Sequence, residues 1–98
     1  MLPVVVAMFD GNRYLVSMLG ENAGWVQNVR ATEGRATLRS GHREKVQLVE
    51  VPVDLRAPIL RAYLQQAPGA RPHIRISRDA SLTEFQSIAP TIPVFRVE

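Results

Sequence analysis

The first half of the chain alternates between short apolar runs and turn signals, which predicts two β-hairpins. Residues 2–9 are apolar and rich in valine, as is typical of a strand buried on both faces. Residues 10–12 (DGN) form a turn signal, because glycine and asparagine tolerate positive φ. Residues 13–18 then return as the second strand of the first hairpin.

The second hairpin follows in the middle of the chain. Residues 35–39 (RATLR) alternate between polar and apolar side chains, which indicates a half-buried strand, and residues 40–43 form its turn. Residues 44–51 return, but the apolar phase changes between Leu48 and Val49. A one-residue change of phase inside a strand predicts a β-bulge, and bulges bend sheets towards barrels.

A short helix is predicted between the two hairpins, over the segment WVQNVRA. Helical spacing places Trp25, Val26 and Val29 on one face. Asn22 can cap its start, and Gly34 ends it.

The second half of the chain is predicted to be mainly helical. A main helix covers residues 55–66 with Asp54 as its cap. A capping box at residues 81–84 (SLTE) begins a short helix that Pro90 stops, and residues 92–97 form the last strand. The apolar stripe of the main helix comprises Leu55, Ile59, Leu60, Tyr63 and Leu64.

Together these elements predict one α+β domain over residues 1–98. Tight turns join the strands, so we expect a mainly antiparallel sheet with one main helix packed on it and short helices beside it. Short strands with a bulge are typical of a small, partly open β-barrel.

The amino-acid composition limits the kinds of functional site that the chain can form. The chain has twelve basic and nine acidic residues, a net charge of +3, no cysteine, and two histidines far apart in sequence. Disulfides and thiolate metal sites are therefore excluded, and no metal site is expected. No apolar run approaches the roughly 18 residues that span a bilayer, and no signal peptide is visible. We therefore expect a cytoplasmic protein without a membrane span.

The sequence contains no pattern for catalysis by the protein's own groups. It has no nucleophile elbow, no phosphate-binding glycine loop and no dinucleotide fingerprint. Glu44 and Glu50 are expected to face solvent. We therefore expect no catalytic side chain, and an enzyme of this kind would take its reactivity from a cofactor.

One segment, residues 17–30 (SMLGENAGWVQNVR), favours ligand binding. A strand ends, a loop of small residues follows, and a helix begins with tryptophan. Backbone amides at such a helix start can hydrogen-bond a polar ring edge, and glycines allow close approach. The alternative is structural: Trp25 covers the core and Asn28 satisfies the loop backbone.

Three stretches of the chain resemble the deazaflavin-dependent nitroreductase family, and the resemblance covers nearly all of the chain. They are RYLVSMLGENAGWVQNVRATEGRATL, VQLVEVPVDLRAPILRAYLQQAP and IPVFRVE. The resemblance implies a split β-barrel related to the flavin-binding split barrels. It also implies an oxidoreductase that uses the deazaflavin coenzyme F-420, or FMN as the less favoured alternative. Such an enzyme transfers a hydride to quinone, nitro or unsaturated carbonyl acceptors.

The same resemblance assigns binding residues by position. The family's basic stretch before the first strand is missing from this sequence, so Arg13, Arg30 and Arg35 are the candidate grips for the cofactor's phosphate. Phe85 falls on the family's substrate-side helix, and His73, in the long loop after the main helix, can line a substrate pocket. The implied cofactor-binding residues are Ser17, Met18, Gly20, Ala23, Gly24, Trp25, Val26 and Asn28.

Two other functions stay open. A relative that only binds a deazaflavin, flavin or other planar ligand would need no acceptor site. A nucleic-acid module would use the strand face of Arg35, Thr37 and Arg39, but a net charge of +3 and only six aromatic residues argue against it. We therefore expect a small-molecule acceptor, no nucleic-acid partner, and a homodimer, because an open barrel leaves strand edges unpaired.

Overall fold

The computed structural model contains one five-stranded antiparallel sheet. Features predicted at residues 2–5, 18–19, 21–22, 40–42 and 67–78 lie outside the described residues, which are 6–17, 20, 23–39, 43–66 and 79–98. The strands are β1 (Val6–Phe9), β2 (Asn12–Val16), β3 (Arg35–Arg39), β4 (Arg43–Glu50) and β5 (Val94–Val97). Their order in the sheet is β1-β2-β5-β4-β3, so the last strand pairs between the two hairpins.

Helices lie in the segments where the apolar spacing predicted them. They are α1 (Gly24–Ala31), α2 (Ala57–Gln66) and α3 (Leu82–Ile88), with 3₁₀ helices at Val53–Leu55 and Ala89–Thr91. The hydroxyl of Ser81 accepts a hydrogen bond from the Glu84 amide, which confirms the predicted cap of α3. In the described ranges, no helix is long and apolar enough to cross a membrane.

The first hairpin is confirmed. Phe9 pairs with Asn12, and the two residues between them, Asp10 and Gly11, have φ of 52° and 78°. Two consecutive positive φ values are the signature of the type I′ turn, whose twist matches that of the flanking strands.

The outer edge of β1 contacts the end of α2. The side-chain amide of Gln66 donates to the Met8 carbonyl at 2.8 Å, and its oxygen accepts from the Met8 amide at 2.9 Å. A side chain therefore occupies both main-chain groups that an additional strand would use at this position.

The predicted β-bulge in β4 is wrong. Leu48, Val49 and Glu50 pair with consecutive residues of β5 in one register, and the Val51 amide continues it by donating to Val94 at 2.8 Å. Val49 and Val51 lie on the same face of the sheet. Val51 is buried under the helices there, whereas Val49 is 39% exposed. The change of apolar phase at Val49 therefore does not reflect a bulge. It reflects how far the helices extend over this face of the sheet.

The sheet is not closed into a barrel. In the described part of the chain, the outer strands β1 and β3 each pair with one neighbour only. The α+β class is thus established, and the split barrel that the resemblance implies is not confirmed.

Helices pack on both faces of the sheet, whereas the sequence predicted one main helix on one face. Tyr14 and Val16 face α2 and α3, and Leu15 between them faces α1. The core under α2 and α3 contains Ala7, Tyr14, Val16, Val51, Ala57, Ile59, Leu60, Tyr63, Leu64, Phe85, Ala89, Ile92 and Val94. The core under α1 contains Leu15, Val26, Val29, Leu38, Val46, Leu48, Phe95 and Val97.

The helix α2 begins two residues later than predicted. Leu55 belongs to the preceding 3₁₀ helix and is 57% exposed, so it is not part of the apolar stripe. Pro58 lies in the first turn, where its missing N–H breaks no helical hydrogen bond. The other predicted members of the stripe are buried: Ile59, Leu60, Tyr63 and Leu64.

The end of α1 depends on Gly34. The Glu33 amide donates to Arg30 at 3.3 Å and the Gly34 amide to Val29 at 2.8 Å, which is the Schellman arrangement. Gly34 has φ of 87°, and a Cβ on it would lie 2.1 Å from the Leu48 carbonyl oxygen. Only glycine therefore permits this approach of the turn to β4.

We expect Gly34→Ala to lower the free energy of unfolding by at least about 2 kcal/mol, because the methyl group adds strain at positive φ and a clash with backbone. Urea denaturation measures the loss. Gly24→Ala is the matched control, because Gly24 has nothing within 4 Å of an added Cβ, and it should leave stability unchanged or slightly higher. Equal stability of the two variants would contradict the close approach.

A buried arginine joins the sheet to the helices. Arg56 is 4% exposed, and its Nε donates to the Val51 carbonyl at 2.8 Å. Its Nη1 donates to the carbonyls of Ala89 at 2.9 Å and Ile92 at 3.2 Å, and its Nη2 lies 3.2 Å from a Glu50 carboxylate oxygen. One guanidinium thus ties the end of β4, the start of α2 and the segment before β5.

Glu50 extends this network to α1. Its carboxylate accepts from Arg30 Nε at 3.1 Å and Nη2 at 2.6 Å, in addition to its contact with Arg56. The hydrogen bond from Arg30, together with the charges of both arginines, holds the pKa of Glu50 below its ordinary value. Glu44 is likewise in a two-point ion pair, with Arg13 at 3.0 and 2.8 Å. Glu44 and Glu50 were expected to face solvent, and the structure shows both half-buried and in ion pairs.

The lowered pKa of Glu50 predicts a loss of stability in acid. A carboxylate with a folded-state pKa below its unfolded value stabilises the fold above the unfolded value, about 4.3, and the contribution disappears as the pH falls through the folded value. We expect Glu50→Gln to cost about 1–3 kcal/mol at pH 7 and to flatten the decline of stability below pH about 5.

Denaturation across this pH range measures both effects. Glu33→Gln is the control, because Glu33 is exposed and forms no ion pair in the described residues. Parallel pH profiles of Glu50→Gln and the unaltered protein would rule out this role of Glu50.

Candidate functional site

The predicted ligand segment lies between β2 and α1, and we call its described residues up to the first turn of the helix the bend: Ser17, Gly20, Ala23, Gly24 and Trp25. Ser17 follows β2 directly, is 2% exposed, and donates its amide to the Pro93 carbonyl at 3.0 Å. This bond continues the pairing of β2 with the strand β5. Ser17, the first residue of the bend, is therefore anchored to the chain at the start of β5, the central strand of the sheet.

The bend is closed by its own hydrogen bonds. The Ser17 hydroxyl donates to the Gly20 carbonyl at 2.8 Å, and the Gly20 amide donates back to the Ser17 carbonyl at 3.0 Å. The Ala23 amide donates to Gly20 at 3.4 Å. These amides already have protein acceptors, so the bend presents a ligand mainly with the first turn of α1.

The first turn of α1 is exposed at Gly24, which carries no side chain. Its N-cap is Ala23 and not the predicted Asn22, so no side chain caps the helix amides there. The first helical residue is Gly24, and an added Cβ on it would meet nothing within 4 Å. Gly20 has φ of 88°, and an added Cβ would lie 3.4 Å from the Thr91 carbonyl oxygen.

Trp25 is half-buried beside this open space. Its ring centroid lies 5.6 Å from that of Phe95, with the ring planes tilted by 59°, so part of the indole packs on the core under α1. The remaining ring surface is accessible. Trp25 can therefore serve the core and a ligand together, and both predicted roles stay open.

The remaining predicted site residues are spread over the molecule. Val26 has no exposed surface, so its side chain belongs to the core, whereas Asn28 is exposed further along α1. Phe85 also has no exposed surface and lies in the core under α2 and α3, on the other face of the sheet from Trp25. The structure does not bring Phe85 to the bend. Met18 and His73 lie outside the described residues, so their roles stay predictions.

Two of the three candidate phosphate grips are neutralised by carboxylates. Arg13 is paired with Glu44 and Arg30 with Glu50. Arg35 is exposed, with its Nε donating to the Thr32 carbonyl at 3.1 Å. Within the described ranges, no group of three His, Cys, Asp or Glu residues could hold a metal ion.

The buried Arg56 was not predicted from the sequence, because its guanidinium bonds to the carbonyls of Ala89 and Ile92, which lie far along the chain. Ser17 was predicted as a cofactor-binding residue, and its hydroxyl is bound to the Gly20 carbonyl. Comparison with protein-family models, with curated proteins and with solved structures finds no match to this chain.

Proposed function

We propose that the chain binds the deazaflavin coenzyme F-420 at the bend and transfers a hydride from it to quinone, nitro or unsaturated carbonyl acceptors. The observation that carries this proposal is the half-buried indole of Trp25 beside the open space at Gly24. A planar ring fits such a place, because it gains an aromatic wall and close approach to main chain at once. FMN is the less favoured ligand.

The residues present fit the ring part of this ligand. Trp25 would contact one side of the ring system, and Gly20 and Gly24 would allow the main chain to approach it. The amides of the first turn of α1 would favour negative charge at the ring edge. Bound in reduced form, the cofactor supplies the hydride, and the protein contributes orientation and proximity.

A second candidate is a binder of the same class of ligand without catalysis. The ion pairs of Arg13 with Glu44 and of Arg30 with Glu50 favour it, because paired guanidinium groups attract a phosphate less strongly. The two candidates share the binding site at the bend. They differ in whether an acceptor is reduced.

Two finer parts belong to the same proposal. A split β-barrel would need pairing at the outer strands β1 and β3 beyond that of the described residues. A homodimer would cover exposed strand edges, and light scattering of the purified protein measures it.

We expect Trp25→Ala to weaken the binding of F-420 about tenfold, because the aromatic wall is lost. Quenching of cofactor fluorescence during titration measures the affinity. Val29→Ala is the matched control, because Val29 lies in the same helix and the same core but away from the bend. Val29→Ala should lose stability and keep the affinity of the unaltered protein. Unchanged affinity for F-420 in Trp25→Ala would show that Trp25 has only a structural role.

We expect the unaltered protein to oxidise reduced F-420 in the presence of menadione or a nitroaromatic compound. Absorbance of the oxidised cofactor follows the turnover. Saturable binding without turnover would favour the binder, and the absence of both binding and turnover would refute both candidates.

A further inference from the structure

One face of the second hairpin is not covered by any described helix. It is formed by exposed side chains of β3 and β4 that we call the hairpin face: Arg35, Thr37, Arg43, Lys45 and Gln47. Four of them, Arg35, Thr37, Lys45 and Gln47, line a shallow depression of about 370 Å³. The alternate residues Ala36 and Leu38 point to the other side, into the core under α1.

The hairpin face concentrates cations without carboxylate partners. In the described part of the chain, Arg35, Arg43 and Lys45 form no ion pair, whereas four other arginines do: Arg13, Arg30, Arg56 and Arg96. Glu44 lies between Arg43 and Lys45 in sequence, but it points to the opposite face and is bound to Arg13. The strand alternation therefore places the positive charges of the hairpin face on one side of β4 and both carboxylates of that strand, Glu44 and Glu50, on the other.

The spacing of these cations suits a row of anions. Alternate residues along a strand lie about 6.8 Å apart on one face, and neighbouring strands lie about 4.8 Å apart. The cross-strand pairs Arg35 with Gln47 and Thr37 with Lys45 add hydrogen-bond donors between the charges. We propose that the hairpin face binds the phosphate backbone of double-stranded nucleic acid without contacting the bases.

Duplex is favoured over single strands and over anionic membranes. None of the chain's six aromatic residues lies on the hairpin face, so it offers no platform for base stacking, and affinity should follow phosphate density. No large apolar side chain stands between the cations to insert into a lipid interface. This inference departs from the expectation of no nucleic-acid partner, because the register of the hairpin adds Arg43 and Lys45 of β4 to the face that Arg35 and Thr37 form on β3.

The hairpin face and the bend lie on opposite sides of the sheet. Lys45 and Trp25 therefore do not share a ligand, and the inference does not rest on the proposed function. Binding of a duplex can succeed or fail whatever the outcome of the cofactor titration.

Fluorescence anisotropy with a labelled duplex of about 20 base pairs tests the proposal. With three phosphate contacts, the affinity should fall roughly 40-fold between about 50 and 200 mM salt. Lys45→Glu should weaken binding at least fivefold and lower the slope of log affinity against log salt by about one.

Arg61→Glu is the matched control. Arg61 lies in α2, makes no ion pair in the described residues, and its replacement changes the net charge by the same amount. It should keep the affinity within about twofold of the unaltered protein, if the contacts are local. If both variants weakened duplex binding equally, the effect would be one of net charge alone, and the proposal would be overturned. Tighter binding to the single strand, or binding to phosphatidylserine vesicles and not to the duplex, would overturn it as well.

Discussion

The burial of the Arg56 guanidinium is the constraint on which the arrangement of layers depends. A charge withdrawn from water is tolerated only where its donors meet acceptors and its charge meets an opposite one. Here the carbonyls of Val51, Ala89 and Ile92 supply the acceptors, and Glu50 supplies the charge. Because these groups come from distant segments, the network forms only when the sheet, α2 and the approach to β5 are assembled together. No described buried side-chain nitrogen or oxygen is left without a partner.

Glu50 connects the Arg56 network to the helix on the other face of the sheet. It contacts Arg56 on the side of α2 and Arg30 on α1, so the two helical layers share one carboxylate. The position of α1 matters for function, because its first turn bears Trp25 and the open space at Gly24. An electrostatic network remote from the bend thus helps to orient the surface where a ligand is proposed to bind.

Local signals predicted the parts of the fold that local chemistry determines. The DGN turn and the cap at Ser81 involve residues within three positions of each other, and both were confirmed. The bulge in β4 failed because exposure of Val49 and burial of Val51 depend on how far the helices reach over the sheet. At the candidate site, the packing of Trp25 on the core was foreseeable from its position on the apolar face of α1. The separation of Phe85 from it was not, because the sequence does not say on which face of the sheet each helix packs.

The contact between Gln66 and Met8 has a consequence for self-association. A sheet can be extended when another chain pairs with the unpaired N–H and C=O groups of its edge strand. A molecule with two such edges can therefore form open-ended assemblies. In this molecule the side-chain amide of Gln66, in α2, makes the two hydrogen bonds with Met8 that a neighbouring strand would make. Within the described residues, a further strand therefore cannot pair with Met8, whereas β3 has a paired neighbour on one side only.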